Sequence, residues 1–361
     1  MRKTICMLLA LVLCLGLFAG CDNDSATPTE ATETLPVVQD DGVLRVLLIG
    51  HSLGNDAMWM LPEVFLNEAP DTHVVLGFLY YTGCKLSQHV EFAQQEAAVY
   101  GYMEFDSAED TYWKIALSNG TMQPHKHGAT VSGADASLGQ SQTSKFAIGR
   151  QDWDIVLTQG YPWEVAKLGG YDPDLVGNFN TLRDYVLAND KDTATVPQFG
   201  WNMVWTFPDD DTLIRDNDRQ TMRLNFASVD DYYAKSAQIV KEELEPTLGL
   251  SYVIPSSTAY WNALSSYLTP QEMYRDYAHA SEFARTMIAY MMYCKLTGTN
   301  IEDCKLDPIN YQFRREELPY LSKEDLVLTD SEKQILVEAV GNALEKPYEL
   351  TPSAYTEAPT E

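Results

Sequence analysis

Positive charge is what this sequence has least of. Its 361 residues carry 25 Lys and Arg against 52 Asp and Glu, a formal charge of −27. A surface that acidic repels nucleic-acid phosphates and anionic lipid headgroups, so nucleic acid is not an expected partner and charge cannot hold the chain to a membrane. Cysteine is scarce as well: there are six, and Cys6 and Cys14 fall in an amino-terminal apolar run. Beyond Cys21, only Cys84, Cys294 and Cys304 remain, with no C-x-x-C pair, which excludes a disulfide scaffold and a cysteine zinc site. Cys294 and Cys304 are near enough in sequence to close a short loop as a disulfide, leaving Cys84 free. No Pro/Gly/Ser-rich linker and no internal repeat divides the middle of the chain, so a single folded domain of roughly 300 residues is expected.

The chain opens with Arg2 and Lys3, then the apolar stretch Thr4–Phe18, too short to span a bilayer. Ala19-Gly20-Cys21 follows and resembles the lipobox of bacterial lipoproteins, with Phe18 where Leu is usual. The resemblance implies lipidation of Cys21 and an extracytoplasmic protein anchored to the bacterial cell membrane through that lipid. An ordinary secretory signal is the alternative. The expected organisation is a signal peptide over residues 1–20, an Asp/Thr/Glu/Pro-rich disordered tether over 21–41, the folded domain over 42–348 and a disordered tail over 349–361.

Val43–Gly54, VLRVLLIGHSLG, is the stretch that organises the domain. Its aliphatic run has the length of one buried strand, stops at Gly50-His51-Ser52, and leads into an amphipathic segment reaching about Glu68. A hydroxyl on such a turn lies at the carboxyl end of a sheet beside a helix amino terminus, where open α/β sheets bind ligands and stabilise anions. Ser52 is therefore either a nucleophile or a helix cap. GHSLG also fits G-x-S-x-G, the nucleophile elbow of α/β-hydrolases, but that elbow follows several earlier strands and nothing foldable precedes Val43.

Further strand-turn-helix units follow. His73–Tyr81 ends at Thr82-Gly83-Cys84, Asp154–Gln159 ends at Gly160, and strands are expected within 195–205 and at 251–255. Between the second and third units, YGYMEF and TYWKIAL flank DSAED in the pattern of a β-hairpin. Helices are expected over 86–99, 173–189, 230–248, up to about Leu296, and over 331–344. The alternation predicts an α/β fold, a three-layer α/β/α sandwich with a parallel, flavodoxin-like sheet and a β-hairpin insertion. His125 and His127 lack a third ligand nearby and Asp209–Asp211 lacks calcium-loop spacing, so no metal and no cofactor is expected. Trp163, just past the third strand, is a candidate pocket wall or a core residue.

Near the end of the alternation stands Tyr274-Arg275-Asp276-Tyr277-Ala278-His279. Three residues apart, a carboxylate can hold one imidazole nitrogen and leave the other for a third group, as a serine nucleophile requires. Taken alone, the same residues fit a helix cap and a first-turn histidine. Together, the Ser turn, the Gly83 turn, the polar turn at Gln159 and Asp276-x-x-His279 resemble, in order, the blocks of the SGNH (GDSL-type) hydrolase superfamily. IGHSLGNDA, YTGCKLSQH, WDIVLTQG and VIPSSTAYWNA are especially similar to uncharacterised SGNH-like families of exported bacterial proteins. Two positions depart from the pattern: His51 replaces the usual Asp or Asn, and Gln159 stands where an Asn is usual. The resemblance implies a serine esterase that removes acetyl or other small acyl groups from a carbohydrate or related extracellular ester. Ser52 would attack, His279 oriented by Asp276 would act as base, and the Ser52 and Gly83 amides with the Gln159 side chain would hold the oxyanion. His51 and Trp163 would border the substrate. The alternative is a surface lipoprotein that binds a glycan in the same cleft without catalysis.

Overall fold

The aliphatic runs become the middle of an eight-stranded sheet ordered β5-β4-β3-β2-β1-β6-β7-β8. A computed structural model describes residues 41–109, 113–124, 141–167, 170–191, 195–210, 212–309 and 326–359. Cys21 with the expected signal and lipid site, and His125 and His127, lie outside those residues. The strands are β1 (Val43–Gly50), β2 (His73–Tyr80), β3 (Gly101–Asp106), β4 (Lys114–Ala116), β5 (Met122–Pro124), β6 (Ile155–Thr158), β7 (Gln198–Asn202) and β8 (Tyr252–Ile254). Strands β2, β1, β6, β7 and β8 are parallel neighbours, while β3, β4 and β5 add antiparallel pairs at one edge.

Covering helices explain why β1 is apolar almost throughout. A parallel strand flanked on both faces has no solvent side, so alternation disappears and a continuous aliphatic run remains. Arg45, the exception, is half-buried near the start of β1, where Asp41 takes its guanidinium at 2.7 Å. Among the longer helices, α1 (Ser52–Glu68) packs on α6 (Glu282–Thr297), and α5 (Ser256–Leu264) on α6 and α7 (Asp330–Glu345). Separately, α2 (Leu86–Gln94) packs on α3 (Leu175–Asn189), giving a three-layer α/β/α arrangement.

Register decides where the chemistry falls. Gly50 lies opposite Tyr80 and Ile49 opposite Thr158, so β1, β2 and β6 end level with one another. The turns carrying Ser52, Gly83 and Gln159 therefore meet at one end of the sheet.

Two expectations need correction, and the disulfide left open between Cys294 and Cys304 is not formed. The helix expected over 230–248 is α4 (Val229–Ile239), a π-turn (Val240–Leu244) and a short helical turn (Glu245–Leu248). Pro246 cannot donate the amide proton that a continuous helix would need there, and a wider turn accommodates it. The carboxyl-terminal segment is not a disordered tail as far as Tyr355. Thr351 N–H donates to Asn262 Oδ1 (2.9 Å), Ser353 N–H to Ser265 Oγ (2.8 Å), and Tyr267 N–H to the Tyr355 carbonyl (2.9 Å). Its backbone amides replace water as partners for polar side chains at the end of α5, which composition alone did not reveal. Cys84, Cys294 and Cys304 are all free thiols.

Candidate active site

Ser52 is the first residue of α1 and is half-buried. The capping role open to it belongs instead to His51. Leu53 N–H donates to His51 Nδ1 (3.4 Å), and His51 Nε2 donates to the Gly160 carbonyl (3.4 Å), which dictates a neutral imidazole with its proton on Nε2. Burial depresses its pKa from 6.5 to about 4, the Gly160 carbonyl opposing and nearby His279 reinforcing the shift. Imidazole nitrogen thus supplies the cap that an Asp or Asn would give, and ties the first turn to the third. Because His51 is fully buried, it does not border an open pocket as expected.

Asp276 and His279 come together as their spacing predicts. His279 Nδ1 lies 2.9 and 2.8 Å from the two carboxylate oxygens of Asp276. The Ala278 and His279 amides each donate to the same carboxylate at 2.9 Å. Burial pushes the Asp276 carboxyl up, but the His279 hydrogen bond and charge and the two amides outweigh it and hold it well below the usual range.

What carries this pair to Ser52 is Asp56, which sequence reasoning missed. Asp56 is fully buried on α1, one turn beyond Ser52. It accepts from Arg275 Nη1 (2.8 Å), Arg285 Nε (2.8 Å), Arg285 Nη2 and the Ala280 amide (2.9 Å). Arg275 also donates to the Ala280 carbonyl (2.9 Å), inside a loop closed by the Tyr274–Ala280 bridge. A buried acid balanced by two guanidiniums thus pins the Asp276–His279 loop to the helix that Ser52 begins. The His279 charge acts on both His51 and Asp56. Among the described residues, no hydrogen bond joins Ser52 Oγ to His279. The available signal for Asp56 was an acid one turn after Ser52 in the core-facing run Leu53–Phe65, which must find a buried cation.

Gly83 is exposed, has φ +56 and has open space around the position of a Cβ. A side chain there would be strained, and the bare backbone is open to a ligand. Glu164 ties this turn to the third one: its carboxylate accepts from Leu86 N–H (3.1 Å) and Tyr161 N–H (2.8 Å). Gln159 is buried, with its amide packed against Gly50 and Gly54. A Cβ on Gly54 would stand 2.5 Å from Gln159 Oε1. The two glycines of the misleading G-x-S-x-G pattern thus make room for an amide. Ser256 Oγ–H donates to Asn202 Oδ1 (2.7 Å) and Asn202 Nδ2 to Gln159 Oε1 (3.4 Å), which leaves Gln159 Nε2 a buried donor without an acceptor.

A solved structure shares this fold. It is a DUF4886 family protein from Bacteroides uniformis, with a TM-score of 0.63 at 18% identity, covering 87% of this chain and 100% of that one. At that identity the likeness speaks to fold alone. No protein-family profile and no curated protein matches the chain.

Aromatic rings flank the two histidines. Tyr161 lies 5.6 Å from the His51 ring, and Tyr277 meets His279 edge-on at 5.7 Å. Trp163 is half-buried among Phe207 (5.2 Å), Phe226 (6.2 Å) and Tyr232 (5.9 Å), so three rings hold it in place. A separate cavity, lined by Pro208, Trp261, Leu264 and Pro270, shares Tyr274 with the His279 loop but none of the candidate catalytic residues.

Proposed function

We propose that the protein is a serine ester hydrolase of the SGNH type, removing acetyl or another small acyl group from an extracellular glycan or related ester. The observation that carries the reading is the Asp276–His279 pair, clamped through Asp56 to the helix that Ser52 begins. With Nδ1 held by Asp276, Nε2 is the nitrogen left to take the Ser52 proton. Ser52 Oγ attacks the acyl carbonyl and expels the alcohol, which His279 protonates. Water, deprotonated by His279, then releases the acid and restores Ser52. The Ser52 and Gly83 amides and Gln159 Nε2 are the proposed oxyanion donors, of which Gln159 is already a donor in need of an acceptor. The parallel order β2-β1-β6-β7-β8 supports a flavodoxin-like sheet, with β3–β5 as an inserted hairpin and extension. The signal-like start and Cys21 support export and lipid anchoring.

A glycan-binding protein without catalysis is the second reading, favoured by the missing Ser52–His279 hydrogen bond. Apo catalytic hydrogen bonds are commonly long and tighten on substrate. A serine-directed fluorophosphonate separates the two readings: hydrolysis requires labelling at Ser52 that His279→Ala abolishes, together with acetate release from acetylated sugars or aryl acetates. A folded protein that does neither is a binder.

A further inference from the structure

We infer that the ester taken by this site carries a carboxylate, and that Arg215 binds it. The inference rests on the hydrolase reading for its chemistry, but on separate residues for its geometry. Arg215 lies with its guanidinium carbon 3.7 Å from the centre of the Tyr277 ring, the ring that meets His279 edge-on. Its Nε donates to Asp218 at 2.6 Å, and Asp218 is buried. The Arg215 charge also draws down the Tyr161 hydroxyl pKa that burial raises, and the Tyr161 ring lies 5.6 Å from that of His51. The guanidinium therefore stacks on the ring that borders His279 and acts electrostatically on the ring that borders His51.

These contacts leave a particular edge available. Tyr277 takes the face of the guanidinium and Asp218 takes Nε, while the side chain stays 51% exposed. A planar cation fixed by stacking and by one buried acid is preorganised, and its Nη pair matches the two oxygens of a carboxylate. Arg275 and Arg285 are engaged with Asp56, and Arg275 with the Ala280 carbonyl as well. The acidic chain as a whole disfavours anions, but beyond a Debye length of about 8 Å that field is screened, so the adjacent cation decides.

The test compares an O-acetylated glucuronate with the matching O-acetylated glucose, which differ by carboxylate against hydroxymethyl. Wild-type protein should favour the glucuronate by about tenfold or more in kcat/KM, mainly through KM, with the preference shrinking as salt rises. Arg215→Gln should bring that ratio near one, and Arg215→Lys, which keeps charge without the fork, should fall between. A wild-type ratio near one, or an Arg215→Gln protein of normal melting temperature that loses both esters equally, overturns the inference. If neither ester turns over, the hydrolase reading fails by itself, and titration calorimetry with glucuronate then decides the anion site. Binding that Arg215→Gln removes keeps it; no binding to wild type discards it.

Discussion

At the scale of single residues, Gly54 is where two effects of opposite sign meet. Alanine in place of glycine in a helix ordinarily stabilises by about 0.5–1 kcal/mol. At Gly54 the added methyl would meet Gln159 Oε1 at 2.5 Å and Leu48 Cδ2 at 2.9 Å, so the amide must move. Gly54→Ala should therefore lower kcat by about 10²–10³, the usual cost of one oxyanion donor, while Ser52 still labels with phosphonate. Unchanged kcat would remove Gln159 from the oxyanion site. His51 predicts a pH effect. Burial sets its folded pKa at about 4 against 6.5 when unfolded, so the unfolded chain takes the proton first and stability falls as pH drops through that window. The loss is at most about 3 kcal/mol, and buried His89, pushed down to about 3, adds to it in the same direction. Chemical denaturation from pH 7 to 4 checks this, and His51→Asn should flatten part of the slope. The Asp276–His279 contact was legible because a carboxylate three residues before a histidine can reach its ring, and the Ser52 turn because it ends a continuous aliphatic run. The cap that His51 supplies and the seat that Gly50 and Gly54 leave for Gln159 were not, because each depends on what stands opposite.

At the scale of elements, the clamp is the feature to break. Removing one partner of a buried ion pair leaves charge stranded, at a cost of about 3–5 kcal/mol. Asp56→Ala strands Arg285, which is 2% exposed, and should lower the denaturation midpoint accordingly. Arg275→Gln keeps the Asp56–Arg285 pair and frees only the loop, so it should cost less stability but depress kcat and slow phosphonate labelling. Equal stability losses with normal labelling would make the clamp purely structural. The parallel strands were readable because burial on both faces makes them continuous aliphatic runs. Strand β5, three residues at the sheet edge, is too short to show a period. Asp56 announced a need for a cation but could not say which, since both arginines lie far along the chain.

At the scale of the whole molecule, the docked carboxyl-terminal segment and the proposed lipid anchor make separable predictions. Truncation after Glu349 deletes the hydrogen bonds from Thr351 and Ser353 to α5 and should lower the melting temperature without altering the Ser52 labelling rate. Cys21→Ser should move the protein out of the membrane fraction; unchanged partitioning would dismiss the anchor. The Asp56 clamp also has a consequence in time. Its two arginines follow Asp56 by 219 and 229 residues, so while the chain emerges the acid has no counter-ion and the first helix no loop to hold. Contacts so distant in sequence close late, after the entropy of a long loop has been met. A chain halted before Arg275 would display Ser52 without His279, and the candidate nucleophile would stay silent until nearly the whole domain had been made and folded.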